Sequence, residues 1–167
     1  MKGSKGLHLL ISGIPGTGKS TFARWLASEH GYVRCPSGAE PGSTFFSDID
    51  EARRASDKIV IDWGFPVGML NRVRSLIARG VEPWWFDGDR DAALQSFLAR
   101  AGHPGRKADW DVQLRNIDEH WAEIAGTFND RILDVIARGP VHLSNEERWE
   151  WIESHRGTSL SGDAEAS

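Results

Sequence analysis

Residues 13–20 of the chain read Gly-Ile-Pro-Gly-Thr-Gly-Lys-Ser, which fits the pattern G-x-x-x-x-G-K-[ST] at every fixed position. The apolar segment 7–12 precedes this stretch and predicts a buried strand, and a helical pattern over 19–30 follows it. Glycines allow the turn and bring backbone N–H groups close to phosphate oxygens, and the N-terminal end of the helix attracts the same anion. The chain therefore begins with a strand, a phosphate-binding loop and a helix.

The residue types in this loop predict a site for a nucleoside triphosphate. Lys19 can reach the β- and γ-phosphates, and the Ser20 hydroxyl can bind Mg²⁺. The alternative is a glycine-rich turn without a ligand, and the agreement between motif and context argues against it. The predicted nucleotide-binding residues of this segment are Gly13, Ile14, Pro15, Gly16, Thr17, Gly18, Lys19, Ser20 and Thr21.

A second functional group follows from the apolar run 59–61, which predicts a buried strand that ends at Asp62. Beside a phosphate-binding loop, this acid would lie near Ser20 at the carboxyl end of the sheet, where ligands bind in open α/β folds. There it can hold Mg²⁺ or accept a proton from an attacking hydroxyl. An aspartate after a strand is also common as a plain turn or cap residue, so both interpretations stay open on the residues alone.

Strand patterns alternate with helix patterns along the rest of the chain, which predicts an α/β fold with a parallel sheet and helices on both faces. Ser144 and Glu147 predict a capping box for a last helix that reaches about residue 155. We expect one domain over residues 1–156 and a disordered tail over 157–167. The remaining predicted strands are 32–35, 58–62, 81–86 and 141–143, and the remaining predicted helices are 47–55, 67–79, 90–101 and a long helical stretch over 109–137, which Gly126 can divide or bend.

Composition excludes several classes of protein. The chain has 167 residues, with 20 Lys and Arg against 24 Asp and Glu, and this acidic balance argues against broad binding to nucleic acid. No apolar run approaches the ~20 residues that a membrane helix needs. The single cysteine and the lack of a secretory signal predict a cytoplasmic location. The eight tryptophans indicate mainly core packing, with a stacking platform for a flat ligand as the alternative.

The loop, the short length and the segment 59–65 (Ile-Val-Ile-Asp-Trp-Gly-Phe) resemble the small P-loop kinases. These are the nucleoside-monophosphate-kinase-like proteins, among them the AAA-type kinases related to gluconate kinase, chloramphenicol phosphotransferase and the kinase domain of polynucleotide kinase. The resemblance covers roughly residues 7–155 by the order of elements. It implies a P-loop NTPase three-layer sandwich, a five-stranded parallel sheet in the order 2-3-1-4-5, ATP as phosphoryl donor and Mg²⁺ as cofactor. The lack of an Asn/Thr-Lys-x-Asp motif for guanine favours ATP over GTP.

The resemblance also implies a mobile lid between the fourth strand and the last, which falls at about residues 100–109. Arg100 is the best match for a lid arginine that contacts the transferring phosphate, and Arg106 is the second candidate for phosphate binding. A solvated helix end is the alternative for both arginines. The family further places the adenine near the loop after the last strand, which is Ser144–Glu146 in this chain.

One family feature is missing. Many relatives carry an aspartate just after the second strand, whereas residues 32–37 read Tyr-Val-Arg-Cys-Pro-Ser and include no acid. This leaves Asp62 as the leading candidate for the base, with Asp48 and Asp50 as outside candidates. Acids in a first helical turn are favoured by the helix dipole, which explains Asp48 and Asp50 without catalysis.

Three functions are compatible with these residues. The leading hypothesis is an ATP-dependent phosphotransferase that acts on a hydroxyl of a small molecule, with Lys19, Asp62 and Arg100 as catalytic residues and Ser20 and Asp62 as metal ligands. The second is an enzyme of the same fold that acts on a nucleic-acid 5′ end, which the acidic balance argues against. The third is a catalytically weak nucleotide-binding switch, which the missing acid favours.

Overall fold

The computed structural model of the chain describes residues 8–36, 44–65, 67–100, 104–136 and 141–156. The predicted tail over 157–167 and part of the predicted lid, residues 101–103, lie outside the described residues. No helix in the described ranges has the length and apolar character needed to cross a bilayer. The elements are β1 (Leu9–Gly13), α1 (Lys19–Glu29), β2 (Val33–Pro36), α2 (Phe45–Ala55), β3 (Ile59–Asp62), a 3₁₀ turn (Val67–Met69), α3 (Leu70–Ala78), β4 (Glu82–Asp87), α4 (Arg90–Leu98), α5 (Lys107–Glu119), α6 (Trp121–Phe128), β5 (Ile132–Asp134) and α7 (Asn145–Arg156).

The described strands form one five-stranded parallel sheet in the order β2-β3-β1-β4-β5, which confirms the predicted order. All five residues of β1 are buried, as expected for a central strand with helices on both faces. Ile11 pairs with Asp62 on one side, and Gly13 pairs with Phe86 on the other. The carboxyl ends of β3 and β4 therefore flank the start of the phosphate-binding loop.

The predicted long helix over 109–137 is wrong. The structure divides this stretch into α5, α6 and the short strand β5. His120 separates the two helices, and Asn129, with a φ of 56°, ends the second one. The apolar positions of both helices had continued a single helical spacing through the break, so periodicity alone did not reveal it.

The last strand of the sheet was also predicted at the wrong place. It is β5, which pairs with β4 through Trp85 and Ile132, and not the predicted segment 141–143. Leu143 instead donates its backbone N–H to Val135 O at 2.7 Å, just beyond the end of β5. The three-residue strand is too short to show a period of its own.

Other boundaries differ by a few residues. Helix α2 begins at Phe45 and not at Ser47, whose hydroxyl instead donates to Thr44 O. The predicted helix over 67–79 consists of the 3₁₀ turn followed by α3. The capping box of α7 is confirmed, because Ser144 N donates to Glu147 Oε2 at 2.7 Å and Glu147 N donates to Ser144 Oγ at 3.1 Å.

Most tryptophans pack in the core, as predicted. Five of the eight are buried: Trp63, Trp84, Trp85, Trp110 and Trp149. Trp85 also packs edge-to-face against Phe128 from α6 and against Phe65 from the segment after β3. This aromatic cluster joins the last strands to α6 and forms one wall beside the phosphate-binding loop.

Candidate active site

The phosphate-binding loop requires glycine at two positions of close backbone approach. Gly16 has a φ of 79°, and a Cβ atom there would collide with the carbonyl oxygen of Ala93. Gly13 has a φ of 140°, and a Cβ atom there would collide with the carbonyl oxygen of Phe86. Any side chain would therefore push the loop away from α4 and β4.

Two side chains of the phosphate-binding loop donate hydrogen bonds to the backbone of the same loop. Thr17 Oγ1 and Lys19 Nζ both donate to the carbonyl oxygen of Ile14 at 2.8 Å. Ile14 is fully buried and holds its own place by donating its N–H to Phe86 O at 3.1 Å. The Lys19 ammonium thus has a neutral carbonyl as its acceptor, which an anion in the loop can replace with a stronger, charge-assisted contact.

The Lys19 ammonium is held in an unfavourable environment for a positive charge. Burial first, and then repulsion from Arg100 and Arg148, lower the pKa of Lys19 from 10.5 to about 7, although the carboxylate of Asp62 acts in the opposite direction. A phosphate group bound beside Lys19 would favour the charged form and raise this pKa again. Nucleotide binding and protonation of Lys19 are therefore linked.

This linkage gives a testable pH dependence. At pH 8 the lysine of the free protein is mostly neutral, so binding of ADP should take up about one proton, and affinity should fall as pH rises from 7 to 9. Calorimetry in two buffers of different ionisation enthalpy measures the uptake. The variant Lys19→Arg keeps its charge at all these pH values and should take up no proton. Equal binding enthalpies of the wild-type protein in both buffers at pH 8 would contradict the linkage.

Asp62 stands at the end of β3 with its carboxylate buried, at 2% exposure. Ser20 Oγ donates to Asp62 Oδ2 at 2.7 Å. The other carboxylate oxygen, Oδ1, is buried and has no hydrogen-bond partner in the described part of the chain. A buried oxygen without a partner is costly, so this atom points to a ligand of the site.

Arg34 on β2 reaches the same carboxylate. Its Nη2 donates to Asp62 Oδ2 at 3.0 Å, and its side chain is 26% exposed. Arg34 therefore stands on β2, the strand after which the resemblance implied an acid, and it contributes the opposite charge.

A cleft of about 770 Å³ runs along the loop and is strongly positive. As far as the structure describes its lining, no carboxylate group lines it. Only Arg34 among the lining cations has a carboxylate partner within the described residues. Such a cleft favours a polyanion, because each phosphate charge meets an uncompensated cation. The cations that line it are Lys19, Arg24, Arg34, Arg100 and Arg148.

The two predicted lid arginines lie in different surroundings. Arg100 follows α4, lines the cleft and lies over the ring of Phe97, 5.1 Å from its centre. Arg106 pairs with Asp109 at 3.0 Å, with its side chain 81% exposed, and it is not among the residues that line the cleft. Helix α5 begins at Lys107, so the last three residues of the predicted lid, 107–109, are regular helix. The structure therefore brings Arg100, but not Arg106, to the loop.

Arg148 was not predicted, although it is the most enclosed cation of the cleft. It is 3% exposed, and its Nη1 donates to Thr17 O at 2.7 Å and its Nε to Leu143 O at 3.1 Å. Its guanidinium lies 5.2 Å from the centre of the Phe86 ring. Burial lowers the pKa of Arg148 to about 10. Arg148 therefore fastens the first turn of α7 to the phosphate-binding loop.

A second, smaller cavity of about 60 Å³ lies on the other side of the loop and is lined without charged groups. Gly64 lines it, and a Cβ atom at Gly64 would lie 4.0 Å from Lys19 Cε, so the cavity adjoins the lysine. The amide side chains of Gln113 and Asn116, one turn apart on α5, supply its polar groups. A wider groove of about 510 Å³ shares Asn116 with it and extends outward to Arg74. The full lining of the small cavity is Gly13, Gly64, Phe65, Val67, Trp85, Gln113, Asn116, Ile117 and Ile124.

Asp48 and Asp50, the other candidates for the catalytic base, lie on α2 away from the phosphate-binding loop. Asp48 accepts a hydrogen bond from Thr44 at 3.1 Å, and Asp50 pairs with Arg79 at 2.9 Å on the surface. Within the described residues neither acid bonds to the phosphate-binding loop, whereas Asp62 does so through Ser20. Ser144 and Asn145 from the predicted adenine loop do line the cleft, next to His142.

The sequence contained weak signals for two of the cations that were missed. Arg24 lies one helical turn after Ser20, so helical spacing places it on the same side of α1. Arg148 is a cation in the first turn of a helix, where the dipole disfavours positive charge, and this points to a tertiary partner. For Arg34 the only signal was the absence of an acid on β2, because its contact with Asp62 depends on the pairing of two strands.

Comparison with known proteins identifies the fold. No family model matches the chain, and no curated protein matches it. Similar solved structures include a gluconokinase from Sinorhizobium meliloti 1021, with 15% identity, a TM-score of 0.55, and coverage of 90% of this chain and 98% of that one. A shikimate kinase from Bacteroides thetaiotaomicron has 16% identity, a TM-score of 0.53 and coverage of 89% and 93%. An unliganded sugar kinase from Janibacter sp. HTCC2649 has 16% identity, a TM-score of 0.57 and coverage of 88% and 94%. All three neighbours are P-loop kinases, and the chain shares their fold.

Proposed function

We propose that the chain is an ATP-dependent phosphotransferase that moves the γ-phosphoryl group of ATP to a hydroxyl of a small molecule. The observation that supports this most directly is the positive cleft along the phosphate-binding loop, with the buried carboxylate of Asp62 bonded to Ser20 of the loop. The cleft suits a polyphosphate, and a nearby acid is what transfer to a hydroxyl needs. Because the reaction consumes ATP, we also propose a cytoplasmic location.

The nucleotide would occupy the cleft with its phosphates against the loop. Lys19, Arg24 and Arg100 would neutralise phosphate charge, and Arg148 would keep the loop in shape through Thr17. The adenine of the nucleotide would lie toward Ser144, just before α7. This orientation directs the γ-phosphate toward the Asp62 side of the loop.

The residues present fit a magnesium ion. Ser20 and Asp62 would hold it, since Mg²⁺ in phosphate sites is bound by one or two protein oxygens together with the phosphates. Oδ1 of Asp62 has no hydrogen-bond partner among the described residues, which supports a further ligand on this carboxylate. When bound, the ion would offset the charge of the transferring phosphoryl group. The nucleotide phosphates would supply the other ligands, since in the described residues no group of three or more His, Cys, Asp or Glu side chains could hold a metal.

The chain's own residues suffice to describe the transfer. The acceptor hydroxyl attacks the γ-phosphorus, and its proton goes to the carboxylate of Asp62. As the bond to the β-phosphate oxygen breaks, Lys19 and Arg100 stabilise the charge on the equatorial oxygens. ADP and a phosphate ester leave, and Asp62 returns its proton to solvent.

The small cavity beside Gly64, together with the groove of about 510 Å³ that shares Asn116 with it, is the proposed position of the acceptor. Gly64 lies next to Lys19, and the amides of Gln113 and Asn116 can hydrogen-bond to acceptor hydroxyls. Neither amide has a side-chain partner among the described residues. A small hydroxylated molecule with an apolar face fits these walls better than a nucleic-acid end.

Replacing Arg100 by alanine should reduce turnover much more than ATP affinity. Removing one cation that acts on the transferring phosphoryl group typically lowers the rate by about 100-fold, while the remaining cations of the cleft keep the nucleotide bound. Steady-state kinetics and nucleotide titration of the variant check this. Arg106→Ala is the matched control and should behave as the wild type, because Arg106 pairs with Asp109 away from the cleft. Unchanged turnover in Arg100→Ala would remove Arg100 from the mechanism.

Competition between acceptors tests the proposed function. The protein is incubated with γ-labelled ATP, Mg²⁺, a 5′-hydroxyl oligonucleotide and a pool of sugars, cyclitols, nucleosides and antibiotics. We expect label in a small organic phosphate and none on the oligonucleotide. Label on the oligonucleotide would show the nucleic-acid kinase instead.

A second candidate function is supported by the contact between Arg34 and Asp62. This contact places a cation on the carboxylate that should act as the base, as expected for a catalytically weak switch that binds nucleotide and a partner. Tight ATP binding without label in any acceptor would favour this function.

A further inference from the structure

The contact between Arg34 and Asp62 joins two neighbouring strands at the phosphate site. Arg34 is opposite Val60 in the sheet, two positions before Asp62, so its long side chain must run along β3 to reach the carboxylate. It ends on Oδ2, which also accepts from Ser20. One carboxylate oxygen therefore has two donors.

The ion pair between Arg34 and Asp62 has one hydrogen bond, from Arg34 Nη2 to Asp62 Oδ2. Arginine and carboxylate often form two parallel hydrogen bonds, whereas here one nitrogen meets one oxygen. Arg34 Nε and Asp62 Oδ1 are both buried, and neither has a hydrogen-bond partner in the described residues. A buried donor and a buried acceptor that stay unpaired are costly, which indicates that each receives a ligand in the working protein. A phosphate oxygen suits the Nε donor, and a cation or a hydroxyl suits Oδ1.

We propose that Arg34 acts as a built-in cation of the phosphate site, so that the chain binds nucleotide almost equally well with and without Mg²⁺; this rests on the proposed function of the same cleft. An aspartate at the phosphate site repels the phosphates of a metal-free nucleotide, and a metal ion normally removes that repulsion. Arg34 neutralises Asp62 in the absence of metal and offers its free Nε to a phosphate oxygen. When Ser20 and Asp62 hold the ion, the positive charge of Arg34 lies beside the same carboxylate and repels the ion, which offsets part of the affinity that the ion adds.

Titration calorimetry with ADP tests this without turnover. It is carried out once in excess EDTA and once in saturating Mg²⁺. The wild-type affinities should agree within about threefold. In Arg34→Gln the metal-free affinity should fall by at least about tenfold, which is the value of one lost charge-assisted contact. Its affinity in Mg²⁺ should stay within about threefold of the wild type, because Asp62 is then free for the ion.

Two further variants make the result specific. Arg24→Gln removes a cation that lines the same cleft but has no carboxylate partner in the described residues, so its two affinities should fall by the same factor. Arg34→Lys keeps the charge beside Asp62 and provides the test if the glutamine variant does not fold. Its metal-free affinity should stay within about threefold of its affinity in Mg²⁺, since one cation still faces the carboxylate.

Three results would overturn the inference. One is a wild-type protein whose affinity rises about tenfold or more when Mg²⁺ is added. Another is an Arg34→Gln variant that loses affinity equally in both conditions, as a purely structural role would produce. The third is a wild-type protein that binds ADP in neither condition, which would remove the proposed function as well and is thereby distinguishable from the first two.

Discussion

Lys19→Ala is expected to lower phosphoryl transfer by at least about 100-fold, because it removes the one ammonium that the loop itself directs at the phosphates. The loss of a charge-assisted contact should also weaken ATP binding by about tenfold or more. The fold should survive, since the structure already disfavours the charged lysine and holds its pKa near 7, far below its ordinary value. Turnover assays and nucleotide titration measure the two effects separately.

Lys107→Ala is the matched control for this prediction. Lys107 is exposed on α5 and, within the described residues, pairs with Asp111 alone, so its loss should change neither turnover nor affinity. Thermal unfolding of both variants checks that the fold is intact. A Lys19→Ala protein that is folded and turns over at the wild-type rate would show that the loop has no part in catalysis.

Asp62→Asn is expected to reduce turnover while the protein still binds nucleotide. The amide cannot take the proton of the acceptor hydroxyl and is a poor ligand for Mg²⁺, so turnover should fall by at least about 100-fold. Affinity for metal-free nucleotide should hold or increase, because the substitution removes a negative charge from the phosphate site. Asparagine keeps the size of the side chain and can still accept from Ser20 or Arg34, which favours a folded variant.

Asp48→Asn and Asp50→Asn are the controls for Asp62, since these acids were the other candidates for the base. Asp48 accepts from Thr44 and Asp50 pairs with Arg79, away from the phosphate-binding loop, so both variants should keep wild-type turnover. A large loss in either one, with Asp62→Asn active, would move the base to α2. Weaker binding of metal-free nucleotide in Asp62→Asn would instead indicate that Asp62 is structural.

The central part of the fold could be predicted from the sequence because its signals are local. The motif at 13–20 specifies a strand, a loop and a helix, and the family resemblance implied the sheet order that the structure shows. Strand β5 was missed because it has only three residues, and the apolar positions around it continue a helical spacing. The pair Asn129 and Asp130 was a turn signal that outweighed this spacing in the folded chain.

The site could be predicted only in part for a similar reason. Lys19, Ser20 and Asp62 follow from motif and strand end, and the structure brings them together. Arg34 and Arg148 reach the site across strands or from the far end of the chain, 131 positions away from Thr17 in the case of Arg148. Contacts of this kind depend on tertiary packing, which no local pattern records.

The most direct test of the central claim is phosphorus NMR of the protein with ATP, Mg²⁺ and the pool of small hydroxylated molecules. We predict that the γ-phosphate signal of ATP is replaced by ADP and a new phosphate-ester signal, and that Lys19→Ala leaves the spectrum unchanged over the same time. Conversion of the γ-phosphate to inorganic phosphate alone, or a stable ATP spectrum despite saturated binding, would contradict a phosphotransferase that acts on a small molecule.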